Sequence, residues 1–243
     1  QNLLHRGAAG GDEATGDGAG LLFECNGLFF RKLFSGIANP PPENRPFGVG
    51  MCFLPQERRP RETLERLGEQ IATEEHLLFH GWRDVPINPD VLGDQARREC
   101  PVIRQCALSH PSVTDPLELD RKLYVFRKVW ERRAQTDAGI RNAGFHIASL
   151  SCRTIVYKGL MHALQISDFY PDLRDPRLES ALVVVHQRYS TNTFPSWRLA
   201  QPFRFLAHNG EINTIRANRI NMMMREPNLV SPLFGEAIRK IRP

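Results

Sequence analysis

The sequence is short of several features that would settle a function class at once. It holds only five cysteines in 243 residues, Cys25, Cys52, Cys100, Cys106 and Cys152; the count is odd and no two stand in Cys-x-x-Cys spacing. That argues against a disulfide framework and against a zinc site built from cysteine pairs, so no metal site is expected and a reducing compartment is. No apolar run approaches the ~20 residues of a membrane helix, and the opening QNLLHRGA carries no signal-peptide pattern. The expected location is the cytoplasm, or a plastid if the source is a eukaryote, with no membrane partner. No Gly-Lys-Ser/Thr closes the glycine-rich stretch 5–20, which holds six of the 18 glycines. That stretch follows a helix-like remnant and precedes a strand-like run, the reverse of a dinucleotide fingerprint, and is expected to be a structural loop. Aromatic-basic modules of nucleic-acid readers are missing too, so the net charge of +5 reads as a solvated basic face, with no nucleic-acid partner.

What is present is an ordinary globular composition, 41% hydrophobic and 24% charged, long enough for a sizeable core. FGVGMCFLP (47–55) predicts a strand closed by Pro55. Leu64, Leu67 and Ile71 recur at helical spacing over 61–76, with Thr63 as the expected cap. HLLFHGWRDVPIN (76–88) predicts a strand leaving into a proline-broken loop. Residues 117–135 give the best amphipathic helix, with Leu119, Leu123, Phe126 and Trp130 on one face. A hairpin is expected over 144–159, a central strand buried on both faces from the β-branched run beginning at 181, and a short strand over 203–209. Ile212, Ile215, Arg219, Ile220 and Met223 predict a helix whose Met222–Met224 run belongs to the core. Adjacent strands alternating with helices favour an α+β fold with antiparallel sheets.

Candidate chemistry gathers where two predicted strands end, HQRYSTNT (186–193) and LAHNGE (206–211). Arg188 has the planar fork that grips a carboxylate. Thr191 and Asn192 offer short polar contacts. Asn209 brings a side-chain N–H and Gly210 an unobstructed backbone N–H; two convergent donors of this kind make an oxyanion hole, each worth ~3 kcal/mol in acyl transfer. The plain alternatives are an ion-paired arginine and a simple Asn-Gly turn. His186 and His208 lack a third ligand and read as structural.

Several long motifs occur in order: HRGA…TGDGAG (5–20), GWRDVP (81–86), YKGL (157–160), LES (178–180), HQRYSTNTFPSWRLAQPFR (186–204) and LAHNGEINT (206–214). From end to end the chain resembles the amino-terminal class II glutamine amidotransferase domain of the glutamate synthase large subunit. The resemblance implies an N-terminal-nucleophile (Ntn) hydrolase fold, a four-layer αββα sandwich of antiparallel sheets, with residues 1–243 as part of one such domain, truncated at both ends. It implies hydrolysis of L-glutamine by an N-terminal cysteine whose own amine is the base. In that role Arg188 would hold the α-carboxylate, with Tyr189 beside it and Thr191 and Asn192 in the closing loop. Asn209 and Gly210 would form the oxyanion pair, and Arg6 and Gly7 would lie by the nucleophile. The cysteine itself is expected upstream of Gln1, and an acidic residue for the α-amino group downstream of Pro243, so the polypeptide as given is expected to be inactive. No cofactor is expected within the chain. The family implies FMN and an iron–sulfur cluster in a synthase domain of the same polypeptide, and FAD and NADPH on a small flavoprotein subunit, or NADH or ferredoxin as donor. The alternatives are another class II amidotransferase and a non-catalytic glutamine-binding module on the same fold.

Overall fold

The computed structural model describes residues 15–187, 195–206 and 214–241. In them the chain forms two antiparallel sheets with helices, an α+β fold. One sheet has the order β6-β1-β7 and the other β3-β4-β2-β5. The strands are β1 (Ala19–Glu24), β2 (Phe47–Leu54), β3 (Leu78–Asp84), β4 (Val102–Ser109), β5 (His146–Ser151), β6 (Thr154–Gly159) and β7 (Val183–His186). The helices are α1 (Gly27–Leu33), α2 (Arg58–Glu74), α3 (Asp94–Arg98), α4 (Pro116–Thr136), α5 (Ile166–Phe169), α6 (Ile215–Arg225) and α7 (Ile238–Ile241), with single 3₁₀ turns between several of them.

β2 shows why the layers form. It is buried along its whole length, and its side chains alternate between two cores, as the pleat requires. Phe47, Val49, Met51 and Phe53 enter the core between the sheets, with Phe23, Ala107 and Tyr157. Cys52 and Leu54 point the other way, into a second core with Leu64, Ile71, Leu123 and Trp130 from α2 and α4. Three of the four expected layers, the α2–α4 layer and the two sheets, therefore lie among the described residues.

α4 forms where its apolar stripe predicts. Asp115 caps it, its carboxylate accepting the N–H groups of Leu117 and Glu118, and Pro116 occupies the first turn. Leu119, Leu123, Phe126 and Trp130 are fully buried, each contributing roughly 1.5–3 kcal/mol by leaving water. Trp130 lies across Gly68 of α2, where an added Cβ would stand 2.7 Å from its ring, and its indole N–H donates to Leu64 O at 3.2 Å.

The structure corrects five expectations. α2 begins at Arg58, ahead of the expected start, and Thr63 is no cap: its hydroxyl donates to Arg59 O one turn back. The two strands expected over 144–159 form but make no hairpin: β5 pairs with β2 and β6 with β1, so they serve different sheets. The run from 181 yields only the four residues of β7, at a sheet edge among the described residues, with Val183 and Val185 48% and 59% exposed. Over 203–206, the described part of the strand expected at 203–209, Phe203 and Leu206 face each other in one isolated bridge; residues 207–209 lie outside the described residues. α6 is helical as expected, yet buries none of its residues; Met223 and Met224 are exposed. Ile212 lies outside the described residues.

Candidate active site

All eight sequence-predicted site residues, Arg6, Gly7, Arg188, Tyr189, Thr191, Asn192, Asn209 and Gly210, lie outside the described residues, as does His208. What the structure gives is the frame from which their segments leave. Thr15 is buried, and Gly16 packs directly on the backbone of Met161 and His162, just past the end of β6. β7 ends at His186, which pairs with Gly20 of β1. Gly20 pairs on its other side with Lys158 of β6. Segment 195–206, here called the strap, crosses the same place: an added Cβ on Gly20 would collide with Gln201 O and stand 2.9 Å from Pro202 Cδ. His186 and the strap at Gln201 and Pro202 thus meet at one end of the three-stranded sheet, with Gly16 packed close by.

The strap is pinned at several points. Trp197 enters the inter-sheet core, packs edge-on to Phe53 with centroids 5.9 Å apart, and donates its indole N–H to Ala96 O at 3.1 Å. Gly159 leaves room for it; a Cβ there would stand 2.5 Å from the indole ring. On the opposite face of β6, Lys158 is fully buried and its Nζ donates to Arg198 O at 2.8 Å, 4.7 Å from the Phe203 ring centroid. Arg204 Nη2 donates to Asp120 Oδ2 at 3.4 Å, and its guanidinium stacks 4.2 Å from the Phe205 ring centroid. Asp120 also receives the Ser151 hydroxyl at 2.8 Å and the Cys152 N–H at 2.9 Å, so one carboxylate joins α4, the β5–β6 turn and the strap.

The charges here are mostly positive and mostly dry. Burial, aided by Arg127, pushes the Lys158 amine down to about 7. Burial, then Lys158, Arg127 and Arg198, holds His146 well below the usual imidazole range, and its Nε2 has no hydrogen-bond partner. Burial also lowers the Arg204 guanidinium, whose Nε and Nη1 are unpartnered. Buried polar atoms without partners are uncommon; five of the six among the described residues belong to Ser196, Gln201, Arg204 and His146, on the strap or facing its charges. A positive edge of this kind favours an anionic substrate group or a developing oxyanion.

A pH prediction follows from Lys158. Its amine ordinarily titrates near 10.5 and in the fold near 7, so between those values the unfolded chain binds more protons and stability rises with pH. The buried thiols act in the opposite sense: Cys25 and Cys100 are pushed up to about 12 by burial. Their contribution cancels between the protein and its Lys158→Met variant. In urea titrations the parent is expected to gain stability relative to that variant from pH 7 to pH 9, with no change in the difference below pH 6.

Sequence reasoning named YKGL without giving Lys158 a role, and passed over Gly20, Asp120 and Arg204. The available signal was a lysine inside an apolar strand pattern, a position where a charge is rarely left without a specific partner.

The chain belongs to the class II glutamine amidotransferases: the family profile described as "Glutamine amidotransferases class-II" matches residues 1–243. Among individual proteins it is 45% identical, over 99% of its length, to the "Glutamate synthase [NADPH] large chain" of Bacillus subtilis, covering 16% of that protein. It is 42% identical over 93% of its length to "Ferredoxin-dependent glutamate synthase 2" of Synechocystis, covering 14% of it. Against the "Glutamate synthase [NADPH] large chain" of Azospirillum brasilense it is 40% identical over 99% of its length, again covering 16%. The chain thus spans about one sixth of the length of these relatives. No helix among the described residues is long and apolar enough to cross a membrane.

Proposed function

We propose that residues 1–243 are part of a single domain that supplies ammonia from L-glutamine within a glutamate synthase. The observation that supports this best is the convergence at Gly20: His186, which ends β7 just ahead of 188–194, pairs with it, the strap crosses it at Gln201 and Pro202, and Gly16 packs just past the neighbouring end of β6, all under a positive edge. In this reading Arg188 holds the glutamine α-carboxylate by two parallel N–H···O bonds. Tyr189 flanks it, and Thr191 and Asn192 close over the substrate. A thiolate attacks the carboxamide carbon. The oxygen takes up the charge and is received by the Asn209 side-chain N–H and the Gly210 backbone N–H. The carbon–nitrogen bond then breaks, the nitrogen leaves as ammonia after gaining a proton, and water cleaves the thioester to glutamate. Arg6 and Gly7 position the terminal amine that takes the thiol proton; such an amine titrates at ~7.7–8.0 and suits the task.

None of the chain's five cysteines is given the nucleophile's role. Cys52 and Cys106 are buried in the sheet, and burial raises Cys25, Cys100 and Cys152 far into the protonated range, the reverse of an activated thiol. The attacking thiol is assigned to a cysteine at a mature N-terminus, outside residues 1–243. Among the described residues, no three His, Cys, Asp or Glu side chains gather in a metal-holding group. In this reading the iron–sulfur cluster and FMN belong to a synthase domain elsewhere in the polypeptide, and FAD and NADPH to a flavoprotein partner.

The test is isothermal calorimetry with L-glutamine alongside ammonia release, on the full gene product. Glutamine binding with thiol-dependent ammonia release is expected. Arg188→Ala should weaken binding about 10- to 100-fold, the 1.5–3 kcal/mol of a charged hydrogen-bond pair. Binding without ammonia release would turn the assignment into a glutamine-binding module. Absence of both would end it.

A further inference from the structure

We propose that Lys158 is a positioning residue for glutamine hydrolysis: at the Arg198 carbonyl it grips the strap, the stretch of chain that leads into the residues Asn209 and Gly210 of the functional reading. The proposal rests on the functional reading above. It starts from an oddity of the fold, a lysine with no exposed surface near the end of β6, an outer strand of the three-stranded sheet among the described residues. A buried ammonium is costly and persists only where its contacts repay the loss of water. Among the described residues Lys158 forms no salt bridge; its amine meets the Arg198 carbonyl oxygen at 2.8 Å and the Phe203 ring at 4.7 Å, and both belong to the strap. One side chain thus holds the strap's first turn and its last bridge together.

The lysine is itself held still. Its backbone pairs with Gly20, and its carbonyl accepts the Tyr170 hydroxyl at 2.8 Å. Gly20 has no side chain, so Gln201 and Pro202 lie directly on β1 beside the amine. The strap's other anchor is weaker: Arg204 reaches Asp120 with one nitrogen at 3.4 Å and leaves Nε and Nη1 unpartnered. Leu206, where the described part of the strap ends, pairs with Phe203, the ring that sits over the amine. A shift at Lys158 therefore passes through Phe203 to the residue that precedes segment 207–213. Donors that stabilise an oxyanion tolerate little displacement, because misplacement of about 1 Å costs on the order of 100-fold in rate.

The charged groups facing Lys158 are Arg127 from α4, His146 from β5 and Arg198 from the strap; the cations raise the cost of its charge, and Arg198 also supplies the carbonyl. The amine gives its hydrogen bond most strongly when protonated.

The experiment compares the full gene product with Lys158→Met, which keeps the stem and removes the amine, and Lys158→Arg, which keeps a donor and a cation. Glutamine-dependent ammonia release and amide hydrogen exchange are measured on each. Lys158→Met is expected to lower kcat 10- to 100-fold with KM within threefold. Exchange in 198–206 should quicken at least tenfold while β2 and β4 amides keep parent rates, and Lys158→Arg should restore part of both. Parent kcat in Lys158→Met, a loss expressed wholly in KM, or exchange quickened uniformly through β2 and β4 would overturn the proposal, the last by reducing Lys158 to a general stabiliser. If the parent releases no ammonia, the functional reading fails on its own account; unaltered exchange in 198–206 of Lys158→Met would overturn the lysine's grip separately.

Discussion

Replacing Asp172 by alanine is expected to destabilise the fold by about 3–5 kcal/mol, the cost of leaving a buried charge without its partner. Arg83 of β3 reaches Asp172 with both terminal nitrogens, at 2.7 and 2.8 Å, and the side chains are only 13% and 5% exposed. The pair is part of a closed set of bonds. Arg83 also donates to Gln105 Oε1 at 2.8 Å, Gln105 donates to the Tyr157 hydroxyl at 2.9 Å, and that hydroxyl donates to Asp172 Oδ2 at 2.9 Å. Burial keeps the phenol protonated, as its donor role requires. β3 and β4 belong to one sheet and β6 to the other, so the set locks the sheets in register through polar contacts that each need the others. Urea unfolding followed by tryptophan fluorescence measures the effect. Asp172→Asn, which keeps the shape and loses the charge, should fall between parent and alanine. Breaking the exposed Arg58–Glu62 pair should change stability by less than about 0.5 kcal/mol. A cost below about 1 kcal/mol for Asp172→Ala would mean that water reaches Arg83 and the interior is less dry than described.

Gly20→Ala is expected to cost about 3 kcal/mol, near the top of the usual range for overpacking, and, in the full gene product, to abolish most of the ammonia release proposed above. The added methyl would meet the Gln201 carbonyl oxygen, Lys158 Cβ at 2.7 Å and Pro202 Cδ at 2.9 Å. Two of the obstacles belong to the strap's main chain or proline ring, which cannot swing aside as a flexible side chain does. The strap must lift off β1, loosening the segment ends that meet there. Gly27 is the control, since nothing lies within 4 Å of an added Cβ at the start of α1. Gly27→Ala should be neutral or stabilising by up to about 1 kcal/mol. Thermal unfolding and the glutaminase rate, measured on both variants, decide the matter; equal behaviour would refute the packing argument.

Much of the fold could be read from periodicity, and the failures share one cause. The stripe Leu119–Leu123–Phe126–Trp130 and the run 47–54 announce which surfaces seek cover, and the structure covers them. The run Ala181–His186 announces the same thing, but a β-branched run says nothing of how many strands flank it, and β7 pairs on one side with β1 alone among the described residues. Met222–Met224 has helical character without a buried seat. Thr63 resembled a cap because its hydroxyl suits one, yet Arg58–Glu62 extends the helix by a turn ahead of it. Among the candidate catalytic residues, Arg188, Thr191, Asn192, Asn209 and Gly210 are suggested by the ends of predicted strands, Arg6, Gly7 and Tyr189 only by the long motifs; no period points to any of them. Lys158, Gly20 and Asp120 escaped because their importance lies in what meets them across the sheet, and a linear pattern does not carry that.

The β5–β6 turn makes the two sheets mechanically one object. Only Cys152 and Arg153 separate its strands, yet these belong to different sheets, and the Val156 N–H donates to the Ser149 hydroxyl across the junction at 2.9 Å. Asp120 clasps that same turn from α4 and reaches Arg204 beyond it. α4, the junction of the two sheets and the strap thus share a single carboxylate, so a change in its charge is felt in all three at once.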